Sequence, residues 1–305
     1  MPVGEYHPEF LRRAVGSIAE QTCPHWRLLI IVDDANCQAV EAFLEKELRD
    51  PRIDRIEVQQ RHLAHKLNAG MRQAATEFVA LLLGDDMWAS NAIQVLTEYL
   101  NQFSEVDFFH SSRVFVDEHD QPISSIYYSR EYISLDDFVM NPPVKHLLCW
   151  RRAKALALGG LDESVLYVGP DDYDFPWSMA EAQAVFKAVR ECLYLLRDHR
   201  ECYRLTTHVL RSQQIRETKR IMRKHGVARS KIRRKISAAK KSYLRQCLYR
   251  SSLDRWIKQK LGYDARRGWK QPYRREIAPN LAADASPSVG CEGPSVTTIE
   301  TIVRR

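Results

Sequence analysis

A chain of 305 residues with 45% hydrophobic and 28% charged residues has the composition of a folded protein and excludes a fibrous or wholly disordered one. With no run of 18 apolar residues and no signal-peptide pattern at its start, it is expected to be cytoplasmic and to span no membrane. Seven cysteines, an odd number scattered without a CxxC pair, argue against a disulfide framework or a zinc site.

In chain order, Phe10, Leu11, Ala14, Val15 and Ile18 recur with helical period, and Val40, Phe43, Leu44 and Leu48 do the same. Between them, residues 28–32 (LLIIV) form a short unalternating apolar run, the pattern of a strand buried on both faces. Residues 78–83 (FVALLL) form a second such run, followed by a helical pattern at Ile93, Leu96, Tyr99 and Leu100. Alternating strands and helices predict an α/β fold with a doubly wound, mainly parallel sheet. Further on, residues 106–116 read as a strand ending in the polar turn 117–121, and residues 151–158 as a helix stopped by Gly159-Gly160. A helix is expected after Asp172 and a last short strand at 193–196.

Composition then changes. Residues 211–275 carry 23 Lys and Arg against three acids, Glu217, Asp254 and Asp264, a net of +20, which leaves −13 for the rest of a chain whose total is +7. The expected organisation is a domain over 1–210, a basic helical appendage over 211–275, and a tail over 276–305. The tail is rich in Ala, Pro, Ser and Gly and is expected to be disordered.

Both apolar runs end in a pair of aspartates, Asp33-Asp34 and Asp85-Asp86. In an open parallel sheet the carboxyl ends of the strands border the ligand crevice, so four carboxylates are expected to converge there. Their repulsion calls for a compensating positive charge or hydrogen bonds, and a divalent cation on a diphosphate supplies the first. An aspartate after a strand is also an ordinary turn former or helix cap. A third cluster, Gly169-Pro170-Asp171-Asp172-Tyr173-Asp174, precedes a helix, where acids are also favoured by the helix dipole.

These pieces, with Asn68-Ala69-Gly70, Gly84-Asp85-Asp86-Met87-Trp88 and Gly159-Gly160-Leu161-Asp162-Glu163 in the same order, resemble the family 2 glycosyltransferases of GT-A fold. The resemblance runs from residue 1 to about 199. It implies an inverting transfer of a hexose from a nucleotide-sugar, UDP-linked by expectation, to a hydroxyl of a glycan or lipid-linked acceptor, as in cell-surface polysaccharide synthesis. It implies that Asp34 contacts the nucleobase, that Asn68 borders the nucleotide, and that Asp85 and Asp86 provide the ribose and metal contacts. Asp172 matches the catalytic base. Leu196-Arg197-Asp198-His199 is similar to the late motif whose histidine lies near the diphosphate, so His199 joins Asp85 and Asp86 as a ligand of Mn2+ or Mg2+, with His208 a competitor for that role.

Two departures from the family pattern stand out. Leu83 occupies the place of the first aspartate of the DxD element, and Met1-Pro2-Val3 already matches the segment that follows the family's first strand. The first strand is therefore expected to be missing, leaving β-sheet backbone unpaired and the domain marginal unless residues upstream supply it. A degenerate, non-catalytic binding protein is the alternative reading.

The basic segment also carries Tyr243, Tyr249, Trp256, Tyr263, Trp269 and Tyr273. Three readings remain open: a solvated helical face packed on the acidic body, peripheral contact with an anionic membrane, and nucleic-acid binding. The last ranks lowest because no recognised nucleic-acid motif accompanies the segment.

Overall fold

The computed structural model describes residues 2–59, 62–199, 209–249 and 299–304. Among these, β2 (Trp26–Asp33) and β4 (Phe78–Leu83) take up the two apolar runs. All six β4 residues are buried, as unalternating strands covered on both faces should be. Helix α1 (Pro8–Ala19) starts with proline in its first turn and buries Phe10, Leu11, Ala14, Val15 and Ile18. Its fixed φ and missing N–H make proline a good first residue, and the apolar spacing gives one core-facing stripe.

The strands form one mixed sheet. Strand β3 (Ile53–Val58) lies parallel to β2 on one edge, pairing Leu28 with Ile53 through Asp33 with Val58. Beyond β4 come β7 (Leu148–Arg151), β6 (Phe108–Val116), β8 (Phe186–Arg197) and β5 (Met87–Trp88). Here β7 runs antiparallel to both its neighbours, while β6 and β8 are parallel. Five further helices lie within the body: α2 (Cys37–Phe43), α3 (Leu63–Gln73), α4 (Ala92–Gln102), α5 (Asp136–Met140) and α6 (Arg152–Ala157). A π-helical turn, Pro170–Asp174, leads into α7 (Phe175–Glu181).

The interior of the sheet departs from expectation. Strand β9 (Ile299–Arg304) lies between β2 and β4, parallel to both, pairing Ile299 with Trp26 and Phe78, and Ile302 with Leu29 and Leu81. Strand β1 (Pro2–Val3) pairs with Ile31 and Val32 of β2. Since β3 occupies the other edge of β2, β9 and β1 follow one another along the same edge. The gap expected beside β2 is thus filled, and residues 299–304 of the segment expected to be disordered are a strand. The physical reason is that two flanking strands offer unpaired N–H and C=O groups, and the sequence Ile-Glu-Thr-Ile-Val is rich in β-branched residues that fit such a place. Residues 276–298 lie outside the described residues.

The basic segment begins with α8 (Arg211–Lys224) and α9 (Arg229–Tyr249). These helices pack on the body: Ile221, Met222, Ile232 and Ile236 are buried in the same core. The Glu217 carboxylate accepts the backbone N–H groups of Leu166 and Tyr167, the first at 2.9 Å. Lys224 reaches Asp174 at 2.8 Å and Asp162 at 2.9 Å, and His225 stacks on Trp177 with ring centres 4.4 Å apart. Residues 250–275, with four of the six aromatic residues of the segment, lie outside the described residues.

Candidate functional site

The carboxyl ends of β2 and β4 carry the four expected aspartates, and the two members of each pair differ. Asp33 is buried: one oxygen accepts from Lys66 Nζ of α3 at 2.7 Å, the other from Asn36 Nδ2 at 2.7 Å. Lys66, itself buried, also donates to the Val3 carbonyl at 2.9 Å. A lysine–carboxylate pair this deep is held together because either partner alone would be a bare charge in the core. Asp34 is exposed, and among the described residues its Oδ1 accepts the adjacent Ala35 N–H at 2.8 Å.

At β4 the order is reversed. Asp86 is buried, accepting from the Tyr194 hydroxyl at 2.8 Å and the Arg197 backbone N–H at 2.7 Å. Burial first, then the charge of Asp86, push the Tyr194 phenol well above its ordinary pKa, so it stays a donor. Asp86 therefore stitches β4 to β8. Asp85 is half-buried, with Oδ2 3.0 Å from His199 Nε2. The Asp85 carbonyl accepts from Arg197 Nε at 2.9 Å, and the buried Arg197 side chain also bonds the Asp117 carbonyl at 2.9 Å and pairs with Asp120. Arg197 thus holds the Asp85 backbone in place, while Phe10 packs against the His199 ring at 4.9 Å between centroids. His208 lies outside the described residues.

An imidazole nitrogen and a carboxylate oxygen so close suit a divalent ion such as Mn2+ or Mg2+. No three His, Cys, Asp or Glu side chains converge on a metal position among the described residues. A cation held by Asp85 and His199 would therefore draw further ligands from a diphosphate and water, the usual arrangement for Mg2+.

Asn68 does not face open space. Its amide nitrogen donates to the Leu161 carbonyl and to Glu163 Oε1, both at 3.0 Å, and its oxygen accepts the Leu161 N–H at 2.8 Å. The expected nucleotide contact is replaced by a tie between α3 and the turn after α6. That turn needs glycine: Gly160 has φ +80°, and a Cβ there would stand 2.3 Å from Asn68 Oδ1.

The third cluster sits on the π-helical turn. Asp171 is buried with Oδ2 3.0 Å from His146 Nε2, and His146 Nδ1 faces Arg113 Nη1 at 3.3 Å. If Arg113 donates to Nδ1, Nε2 carries the proton and donates to Asp171. Asp174 is buried between Lys224 and His225, at 2.8 and 3.1 Å. Asp172, half-buried between them in sequence, makes no hydrogen bond or ion pair among the described residues. Gly169, at φ +35°, precedes it, and a Cβ there would lie 2.3 Å from Asp172 Oδ1. Glycine at this position keeps the Asp172 carboxylate clear. Lys66, Tyr194, Arg113, Lys145 and His146 were not among the expected site residues. Only the fold brings Lys66 to Asp33, Tyr194 to Asp86 and His146 to Asp171, while Arg113 meets the His146 ring and Lys145 the Pro142 carbonyl.

The profile described as Glycosyl transferase family 2 matches residues 3–152. TuaG of Bacillus subtilis (strain 168), named for teichuronic acid biosynthesis, is 24% identical over 135 residues, which are 44% of this chain and 53% of TuaG. The chain thus spans about half the length of that relative. The S. aureus TarS fragment 1–349 in complex with UDP-GlcNAc matches with a TM-score of 0.54 at 16% identity, over 72% of this chain and 63% of that one. The mannosyltransferase PcManGT from Pyrobaculum calidifontis, in complex with GDP-Man and Mn2+, gives a TM-score of 0.54 at 17% identity, over 90% of this chain and 80% of its own. These two structures share the GT-A fold with the present one. Residues 3–152 thus carry a family 2 glycosyltransferase domain.

Proposed function

We propose that the protein is an inverting glycosyltransferase that moves a hexose from a nucleotide-sugar, UDP-linked, to a hydroxyl of a glycan or lipid-linked acceptor. The observation that carries this reading is the state of Asp172. Of the three carboxylates on the π-helical turn, two are tied to histidine or lysine, and Asp172 makes no such bond among the described residues. A general base must be free to take up a proton while its neighbours hold the backbone that aims it. Asp172 accepts the proton of the acceptor hydroxyl as that oxygen attacks the anomeric carbon and the bond to the diphosphate breaks, which inverts the configuration. Asp34 holds the nucleobase, and Asp85 with His199 faces the diphosphate. Asp85 and His199 would hold a divalent cation there, whose chemistry would be to supply positive charge to the departing diphosphate.

The test is calorimetry with UDP, with and without Mn2+, beside transfer from a panel of UDP-sugars. UDP should bind more tightly with Mn2+. Asp172→Asn should lower turnover by about 10²–10⁴-fold, the usual worth of a positioned base, while UDP affinity stays within about twofold. Turnover unchanged in the variant removes Asp172 from the role. The alternative, a non-catalytic binding protein, is favoured by Leu83 at the lost aspartate of DxD, and it gives UDP binding with no transfer from any donor.

A further inference from the structure

Lys145 lies close enough to Asp172 for their charges to act on one another, and two further cations from distant parts of the chain act on Lys145 in turn. Arg113 comes from β6, Lys145 from the segment before β7, and Lys235 from α9. Arg113 meets His146 as described, Lys145 Nζ donates to the Pro142 carbonyl at 3.0 Å, and Lys235 Nζ donates to the Met140 carbonyl at 2.8 Å. None of the three has a carboxylate within 4 Å among the described residues. They lie close enough to act on one another. Burial first, then the charge of Arg113, lower the Lys145 pKa to about 8; Arg130 and Lys235 push the same way, and Asp172 opposes them. Burial also lowers Lys235.

Beside them His110 of β6 is fully buried with no hydrogen bond to either ring nitrogen. Burial, then the charges of Lys145 and Arg130, bring its pKa to about 3, so it is neutral at any ordinary pH. Like charges brought together out of water repel and lose hydration, and such an arrangement is stabilised when an anion enters. Asp172 does not fill that role, since it forms no ion pair with any of them. The nucleotide and its diphosphate have their own place at the ends of β2 and β4. Arg113 reaches the His146 ring of the His146–Asp171 pair, and Lys235 reaches from α9 to the last residue of α5.

We propose that Arg113, Lys145 and Lys235 form a binding site for an anionic group of the acceptor, a phosphate or a carboxylate carried near the hydroxyl that reacts. This rests on the reading of Asp172 as the base. Arg113 offers a planar fork and the two lysines point charges, a set that accepts either oxyanion. An acceptor so held presents its hydroxyl to Asp172 in a fixed orientation, and neutral glycans of the same size bind less well.

The experiment titrates the full chain, saturated with UDP and Mg2+, with inorganic phosphate or with acetate in a calorimeter. Chloride holds the ionic strength constant. Phosphate should bind at millimolar concentration. Stronger binding of acetate than of phosphate would assign the site to a carboxylate-bearing acceptor, and the reverse to a phosphate-bearing one. Lys145→Gln combined with Lys235→Gln should weaken the preferred anion at least about tenfold, close to 1.4 kcal/mol, with UDP affinity unchanged. Lys145→Arg should keep anion binding, which separates loss of charge from damage to the fold. Asp172→Asn, though inactive, should bind the anion more tightly because it removes the one opposing carboxylate. Equal affinity in wild type and double variant overturns the proposal. So does competition between phosphate and UDP, which would place the anion in the donor site. If UDP itself fails to bind, the glycosyltransferase reading fails, and titration without UDP still reads the cation cluster.

Discussion

The proposed donor end of the site and the proposed base end are both built from aspartate pairs, yet they balance charge in opposite ways. At the donor end the buried member of each pair is matched inside the protein, Asp33 by Lys66 and Asp86 by Tyr194 and the Arg197 N–H. The outer members, Asp34 and Asp85, are left towards the crevice. At the base end Asp171 is likewise tied to His146, but the surroundings of Asp172 hold cations in excess. In every pair one carboxylate is buried and bonded within the protein, and its neighbour is more exposed. Which of the two lies deeper depends on the backbone: the first after β2, the second after β4, the first on the π-helical turn. Two adjacent residues of the same type therefore carry different work because the chain turns one inwards and one outwards.

The largest way to break this contrast is at the donor end. Lys66→Met should leave Asp33 as a buried, unmatched charge, a loss of about 3–5 kcal/mol. Thermal unfolding should fall by roughly 10 °C for a domain of this size. A melting temperature within about 2 °C of wild type would mean that the pair is not the internal match described. A smaller effect belongs to the base end. Lys145 must be charged to hold an anion, and bound anion raises its pKa from about 8. Arg113, Arg130, Lys235, Asp172 and the neutral His110 face it, and the two arginines stay charged throughout this range. Binding of acetate should then be constant between about pH 6 and 7, where acetate is ionised, and weaken as pH rises through 8, by up to about tenfold per unit. Flat binding up to pH 9 would exclude Lys145 as the charge that matters. The smallest effect is expected far from both ends: Lys231 meets Asp136 at 2.8 Å on the surface, and Lys231→Ala should change stability by no more than about 1 kcal/mol. A larger loss would show that α9 depends on that contact to stay on the body.

The difference in how legible these parts are in the sequence follows from the same geometry. β2 and β4 announce themselves because a strand covered on both faces must be apolar at every position, and the aspartates after them mark where it ends. The helical stripe of α1 is equally plain. What does not show is which partner each aspartate takes, since Tyr194 and Arg197 are more than one hundred residues from Asp86, and Lys66 sits in a helix with no signature of its own. Asn68 was expected at the nucleotide because its motif lies there in the family, but its amide is used by the Gly160-Leu161 turn. The cations beside Asp172 come from β6, from the approach to β7 and from α9, so no local pattern gathers them. Strand β9 was hidden for another reason. Six residues that suit a strand are embedded in a stretch whose average composition is that of a loop, and only the open place between β2 and β4 gives them a partner.

That strand sets a constraint on how the molecule is made. A ribosome adding about 5–20 residues per second finishes β4 and then needs more than two hundred further residues to reach β9, an interval of roughly 10–40 s. Throughout it, the facing edges of β2 and β4 have no strand between them, and open edges of this kind invite pairing with other chains. Helices and hairpins can form as they emerge, but the sheet closes only after synthesis has passed residue 304. The nascent protein thus depends on chaperones for longer than one whose central strand is made early, and its refolding in dilute solution should be slow for its size, as expected when sheet contacts span most of the chain.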